Sequence, residues 1–437
     1  MAGVGRMWDA AGHVRPVRHP HHRRRIGCTA TCAGKSSYGW LARRLALATP
    51  DHASAQDTPA AGAAATAGAS AAPMSRPTPR IGLAISGGGF RATCFGLGCL
   101  RALHDQDLLR HVRVISGISG GSLLAALYAY GPSEFDAFDA LVVEQLHRGL
   151  QAEIIARALR PGAAVRNLFH ASRAAVMRRR GEPMLRGANR TDAVRDTLAA
   201  RAFGHRRLDQ VTHPGLATVI TATDLRTSNA VRFGSMRSSC SAYGTIQEPI
   251  KVAEAVAASG AFPLLLPAVE RSYRFGRRPS DAGERHTVLL TDGGVYDNLG
   301  LSVLEPGRSS SHTAHVYDVD YIVACDAGRG QLPLAAGHFL GSRLKRSHDV
   351  TYRRAQDASR ARLHQAAAAG LIQGFVHSYL GMPDARLPVP VVDLVPAEAV
   401  RHHPTNFRAM SQSALEAISL RGEQLTRTLL AHYCSAL

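Results

Sequence analysis

The sequence predicts an α/β fold on a mainly parallel sheet, and three observations carry that expectation. From Arg80 onward, short apolar runs alternate with helical patterns. The first of these runs, RIGLAIS at residues 80–86, is apolar almost throughout, as a strand covered on both faces is. Glycine clusters follow three runs, at Gly87-Gly88-Gly89, around Gly117 to Gly121 and at Gly293-Gly294.

The elements follow in order. Residues 80–86 read as a buried strand, the three glycines as a turn, and residues 90–103 as a helix. VRVIS, residues 112–116, is the second strand, and residues 122–130 form the second helix. Residues 134–210 read as helical and basic. GLATVITATDL, residues 215–225, is a strand, with VRFGS pairing nearby. KVAEAVAASGAF, residues 251–262, is a helix that Gly260 and Pro263 stop. TVLLTDGG at 287–294 and YIVACDAG at 321–328 are strands with turns behind them. Residues 345–372 form a long basic amphipathic helix, and residues 406–433 one or two terminal helices. Repeats are absent.

Residues 1–75 differ from this pattern. HPHHRRR is a basic cluster, and residues 53–73 are low-complexity Ala, Gly, Thr, Ser and Pro. Such a segment buries too little apolar surface to offset the cost of ordering, so it reads as disordered. Its charged region is too long for a signal peptide, and Arg43-Arg44 interrupt the only apolar stretch. Its Arg-rich, acid-poor composition also fits a transit peptide, and Met74 fits a later start of the folded protein. The organisation expected is an extension at 1–75, a catalytic domain at 76–330 and a helical C-terminal segment at 331–437 packed on it.

The formal net charge of +19 points to an anionic surface, nucleic acid or lipid. The bland account is GC-rich coding, since the chain is Ala-rich and few of its basic residues are lysine. It is preferred here, and no nucleic-acid partner is read. Seven scattered cysteines show no zinc spacing and suit reduced thiols, hence a cytoplasmic setting. No apolar run reaches the ~18 residues of a spanning helix.

Ser119 lies in Gly117-Ile118-Ser119-Gly120-Gly121, between a strand and a helix. A nucleophile must be exposed yet held rigidly, and a tight strand-to-helix turn does both. The competing account is an ordinary turn with a helix-capping serine. Gly87, Gly88 and Gly89 can converge their amides on an anion, either a phosphate or a tetrahedral oxyanion. No Walker A pattern is present, and Ala92 breaks a dinucleotide fingerprint, which favours the oxyanion. A tight packing turn is the alternative. Arg91 steadies this loop or meets anionic headgroups. Asp292, at a strand end before Gly293-Gly294, reaches the rim of Ser119 if the strands are parallel, and there acts as general base. An Asp-Gly turn is the alternative. Asp297 and Asn298 read as caps or turn formers. Among the downstream histidines none stands out, with His312 and His315 read as part of an exposed linker, so a Ser-Asp dyad is the simpler scheme.

Taken in order, the three motifs resemble those of the patatin-like phospholipase family: a glycine-rich oxyanion loop with Arg91, a G-x-S-x-G elbow around Ser119, and a D-G-G acid at Asp292. AASGAFPLLLP, residues 257–267, is similar to the segment that precedes the acid. The resemblance covers residues 80–305. Ser86 stands where many members have Asp, and Ala92 where they have Gly, so SGGGxRA looks more like the cytosolic phospholipase A2 version of the loop. The resemblance implies a three-layer α/β/α sandwich and a lipid acyl hydrolase for phospholipids or related acyl lipids, with no metal or cofactor. Ser119 would be the nucleophile and Asp292 the base, with Gly87, Gly88, Gly89 and Gly120 lining the oxyanion hole and peripheral contact with anionic membrane. A Ser-His-Asp esterase and a non-catalytic lipid-binding protein on the same fold are the rival readings.

Overall fold

β1 (Ile81–Ile85) is buried at every residue because it is a central strand. In the computed structural model, which describes residues 78–159, 190–263, 266–277, 281–330 and 339–437, the other strands are arranged around it. The N-terminal extension expected at 1–75 lies outside the described residues, as does part of the 134–210 block. Ser75–Leu437 form one compact unit.

The strands are β2 (Val112–Gly117), β3 (Ala217–Asp224), β4 (Asn229–Gly234), β5 (Ser238–Cys240), β6 (Gly244–Ile246), β7 (Val269–Gly276), β8 (Glu284–Thr291), β9 (Tyr321–Asp326) and β10 (Gly374–Tyr379). The longer helices are α1 (Gly89–Asp105), α2 (Gly120–Tyr130), α3 (Phe135–Arg148), α4 (Gln151–Ala158), α5 (Arg190–Leu198), α6 (Val252–Ser259), α7 (Leu340–Ala368) and α8 (Gln412–Tyr433).

One half of the sheet is parallel, in the order β10-β9-β1-β2-β3. Its central strands alternate between two cores. Ile81, Leu83 and Ile85 face the larger cluster with α1, α2 and α8, whereas Ala84, with Ile322 and Ala324 of β9, faces the cluster with Leu363 and Ala366 of α7. Strands wedged between two apolar layers need no polar face, which is why they read as unbroken hydrophobic runs.

The other half corrects the mainly parallel expectation. β3 to β8 pair antiparallel in succession, and β8 returns to pair with the end of β3 through Thr223↔Thr291 and Asp224↔Leu290. This makes a closed, barrel-like ring. The fully buried Asp224 seals it, since its Oδ1 accepts the Leu289 amide at 2.8 Å. The fold is therefore of mixed α/β content. The expected pairing of VRFGS is observed: β4 runs antiparallel to β3.

The ring decides where the site forms. β2 and β3 stay in register only as far as Gly117↔Ile220, so β3 overhangs by Thr221 to Asp224. β8 descends along that overhang and delivers Asp292 to the level of the turn after β2. The carboxylate thus arrives by an antiparallel strand, not by the parallel one that the sequence predicts. The C-terminal region adds β10 to the same sheet and packs α8 on α1. Among the described residues, no helix is long and apolar enough to cross a membrane.

Candidate active site

The chain enters Ser119 from β2 and leaves it as α2, whose first residue is Gly120. Ser119 has φ 51° and ψ −117°, a left-handed conformation that costs a non-glycine residue about 1–3 kcal/mol. The surroundings hold it there. The Ser119 amide donates to Ser259 Oγ at 2.9 Å, and Ser122 Oγ donates to the Ser119 carbonyl at 2.6 Å. Gly120 is obligatory, because a Cβ there would overlap the Gly89 carbonyl. The glycine loop after β1 therefore touches the serine turn backbone to backbone.

That loop is shaped by position-specific demands. Gly89 has φ 58°, and a Cβ on it would sit 2.7 Å from the Asn406 carbonyl. The Gly87 amide donates to the Asn298 carbonyl at 2.9 Å. Gly87 is thereby removed from the expected set of anion donors. No acceptor among the described residues takes the amides of Gly88, Gly89 or Gly120. Ser86 is buried, and its Oγ accepts the Ala327 amide at 2.9 Å. A neutral hydroxyl serves that role without burying a charge.

Arg91 does not face a headgroup. Its side chain is buried, with Nε donating to the Ala327 carbonyl at 3.0 Å and Nη1 to the His403 carbonyl at 2.8 Å. Burial lowers its pKa to about 10, with Arg329 nearby adding to the effect. The structure thus keeps the loop-steadying alternative and overturns the headgroup one.

Asp292 follows β8 and is 4 % exposed. Its amide donates to the Ala261 carbonyl and its carbonyl accepts Thr223 Oγ1. Burial raises its carboxyl from 3.8 to about 6, opposed by the Gly294 amide, 2.7 Å from Oδ1, and by a hydrogen bond to Ser119. Among the described residues, no cation and no histidine acts on it. A carboxylate without a counter-ion, beside a hydroxyl, is a base in search of a proton.

Among the described residues, the histidine side chains with hydrogen-bond partners lie elsewhere. His315 is 1 % exposed, not part of an exposed linker, and its Nε2 sits 3.1 Å from Ser239 Oγ. Burial, with Arg232 and Arg308 nearby, lowers it to about 3. His377 pairs with the buried Asp326 at 3.1 Å. Asp297 is the cap its sequence predicts, accepting the amides of Leu299, Gly300 and Ser302.

Sequence reasoning missed Ser259, the last residue of α6. Its hydroxyl holds the Ser119 amide while its carbonyl accepts the Gly293 amide at 3.1 Å. One residue thus positions both halves of the site. The legible signal was a polar side chain on the apolar face of AVAASGAF. Ser259→Ala leaves a buried amide unpaired at a cost of about 1–2 kcal/mol. It is expected to lower kcat about tenfold with KM little changed, a split that steady-state kinetics reads.

The Patatin-like phospholipase family model matches residues 83–304, about half of the chain. The chain belongs to that family. Over 44 residues it is 46% identical to the Saccharomyces cerevisiae protein SPO1, whose name describes a meiotic phospholipase; the match covers 10% of this chain and 7% of that one. Similar solved structures include human GIVD cytosolic phospholipase A2, at 12% identity and TM-score 0.47, over 80% of this chain and 59% of that one. VipD from Legionella pneumophila is similar at 13% identity and TM-score 0.33, over 81% and 67%. The chain thus spans about three fifths of the human enzyme's structure and a small part of the yeast protein.

Proposed function

We propose that this protein is a lipid acyl hydrolase that cleaves carboxylic ester bonds of phospholipids or related acyl lipids. Its sheet and two helical cores serve as a three-layer α/β/α sandwich with the antiparallel ring at one side, and it works in the cytoplasm at lipid surfaces. One observation carries the reading: a hydroxyl on a left-handed turn, hydrogen-bonded to a buried carboxylate that has no charged partner among the described residues.

In this scheme Asp292 takes the proton of Ser119 as Oγ attacks the ester carbonyl carbon. The negative charge moves to the carbonyl oxygen, where the amides of Gly88, Gly89 and Gly120 stabilise it. Collapse breaks the ester bond, and the protonated Asp292 returns its proton to the leaving alcohol. The acyl group then sits on Ser119. Asp292 next takes a proton from water, whose oxygen attacks the acyl carbon; collapse breaks the bond to Oγ, which takes the proton back from Asp292 as the acid leaves. Both carbonyl attacks use the same donors. Apolar side chains of Leu123, Leu150, Ile154, Val194, Leu198 and Phe407 border Ser119 around a space of about 10 Å³, so an acyl chain fits there only once they part.

A panel of lipid classes, with wild type and Ser119→Ala side by side, tests the reaction. Single replacement by Ala of each histidine that follows Asp292 in the sequence is expected to leave the rate within a few-fold of wild type. Collapse of the rate in one of them would restore a triad.

A further inference from the structure

α7 presents two opposite faces. At 3.6 residues per turn, Tyr352, Ser359, Leu363 and Ala366 fall within about 60° of one another. This side faces the protein: Ser359, Leu363 and Ala366 are buried, and the Tyr352 hydroxyl lies 3.5 Å from where a Cβ on Gly294 would stand. Asp292 Oδ1 lies 2.8 Å from that same point. The inner face of the helix therefore adjoins the proposed catalytic carboxylate.

The outer face of its N-terminal half, with the residue that precedes it, carries large apolar side chains that the described residues leave exposed. Phe339, Leu340, Leu344 and Val350 are 72%, 71%, 62% and 56% exposed. They span about 140° of the helix circumference, on the side away from Tyr352. Arg343 and Arg354 lie among them, and Arg346 and Arg353 lie along one border. From residue 340 to 356 the sequence holds five Lys and Arg against one acid, Asp349.

Exposed leucines and a phenylalanine set among arginines fit an interface that is apolar inside and anionic at its surface. A nucleic acid would use the arginines and leave the apolar residues in water. We infer that the N-terminal half of α7 is a docking helix for anionic lipid surfaces, bringing the membrane to the rim where Asp292 stands. The choice of lipid over another partner rests on the lipid acyl hydrolase reading.

The test uses the full chain carrying Ser119→Ala, so that vesicles stay intact. Partition onto vesicles of phosphatidylcholine with phosphatidylserine is compared with phosphatidylcholine alone. Binding is expected to favour the anionic vesicles and to weaken in high salt. Leu340→Glu with Leu344→Glu, and separately Arg343→Glu with Arg354→Glu, are each expected to reduce that partition at least about tenfold, since each adds negative charge facing an anionic surface and removes apolar or cationic contact with it. With Ser119 restored, both double variants keep their hydrolysis of a soluble short-chain ester and their melting temperature. Unchanged partition in both, or equal binding to neutral vesicles, overturns the inference. So does a wild-type dimer that these changes split while vesicle binding persists. If the parent cleaves no ester at all, the hydrolase reading fails, and the partition of the two variants still decides the role of α7.

Discussion

Ser119→Ala is expected to abolish ester hydrolysis, with kcat falling by about 10⁴-fold or more. The expectation follows from covalent catalysis. Without Oγ there is no acyl-enzyme, and the donors of Gly88, Gly89 and Gly120 can only polarise an ester toward chance attack by water. The fold has little reason to respond. The Ser119 amide still reaches Ser259, and alanine meets the same left-handed conformation as serine. Substrate affinity should also persist, because the apolar side chains beside the turn are unchanged. Loss of kcat with retained lipid binding and an unchanged melting temperature is the expected pattern.

Asp292→Asn is expected to cost about 10³-fold in kcat, within the range for removal of a general base. Its effect on stability runs the other way. Asp292 is buried, and its carboxyl is raised from 3.8 to about 6. An acid whose pKa rises on folding holds its proton more tightly in the native state. Between pH 4 and 6 the native protein therefore binds more protons than the unfolded chain, and stability falls as pH rises through that window. Above it the ionised carboxylate costs about 3 kcal/mol, from about two units at 1.36 kcal/mol each. Asparagine carries no charge, and its carbonyl oxygen can still accept the Gly294 amide. Asp292→Asn should thus melt no lower than wild type at pH 8 and should lose the decline between pH 4 and 6. In the wild type, kcat/KM should rise with pH through about 6 and then level, because the base must be ionised to take a proton. Thermal melts and pH–rate profiles of the two proteins check both signs.

The legibility of this fold in the sequence follows from where each strand finds its partners. β1, β2 and β9 lie between two apolar layers, so their burial is written directly in their side chains. β7 shows the opposite case. Its sequence, VERSYRFG, holds three charged residues among eight. Glu270 pairs with Arg226, and Arg271 with Asp192 and Glu254, all distant in sequence. Only the closed ring brings these together, so periodicity could not reveal the strand. β5 and β6, at three residues each, are too short to carry a pattern.

The site divides in the same way. Ser119 and Asp292 stand out locally, because each needs glycines beside it to turn sharply. How they meet did not stand out, because it depends on the overhang of β3 and on the reversal of β8. The Arg91 side chain has a sequence context that fits loop or headgroup, and only the carbonyls of Ala327 and His403 decide between them. Ser259 looks like a residue in a helix-stop segment until its hydroxyl is found on the Ser119 amide.

The pairing of one hydroxyl with one buried carboxylate is tested most directly by covalent trapping. A fluorophosphonate probe, followed by mass mapping of the adduct, reads which side chain is nucleophilic. A single adduct on Ser119, absent in Ser119→Ala and formed far more slowly in Asp292→Asn, is the expected result. A folded protein that takes no adduct at Ser119, or takes it as fast without the carboxylate, would contradict the account.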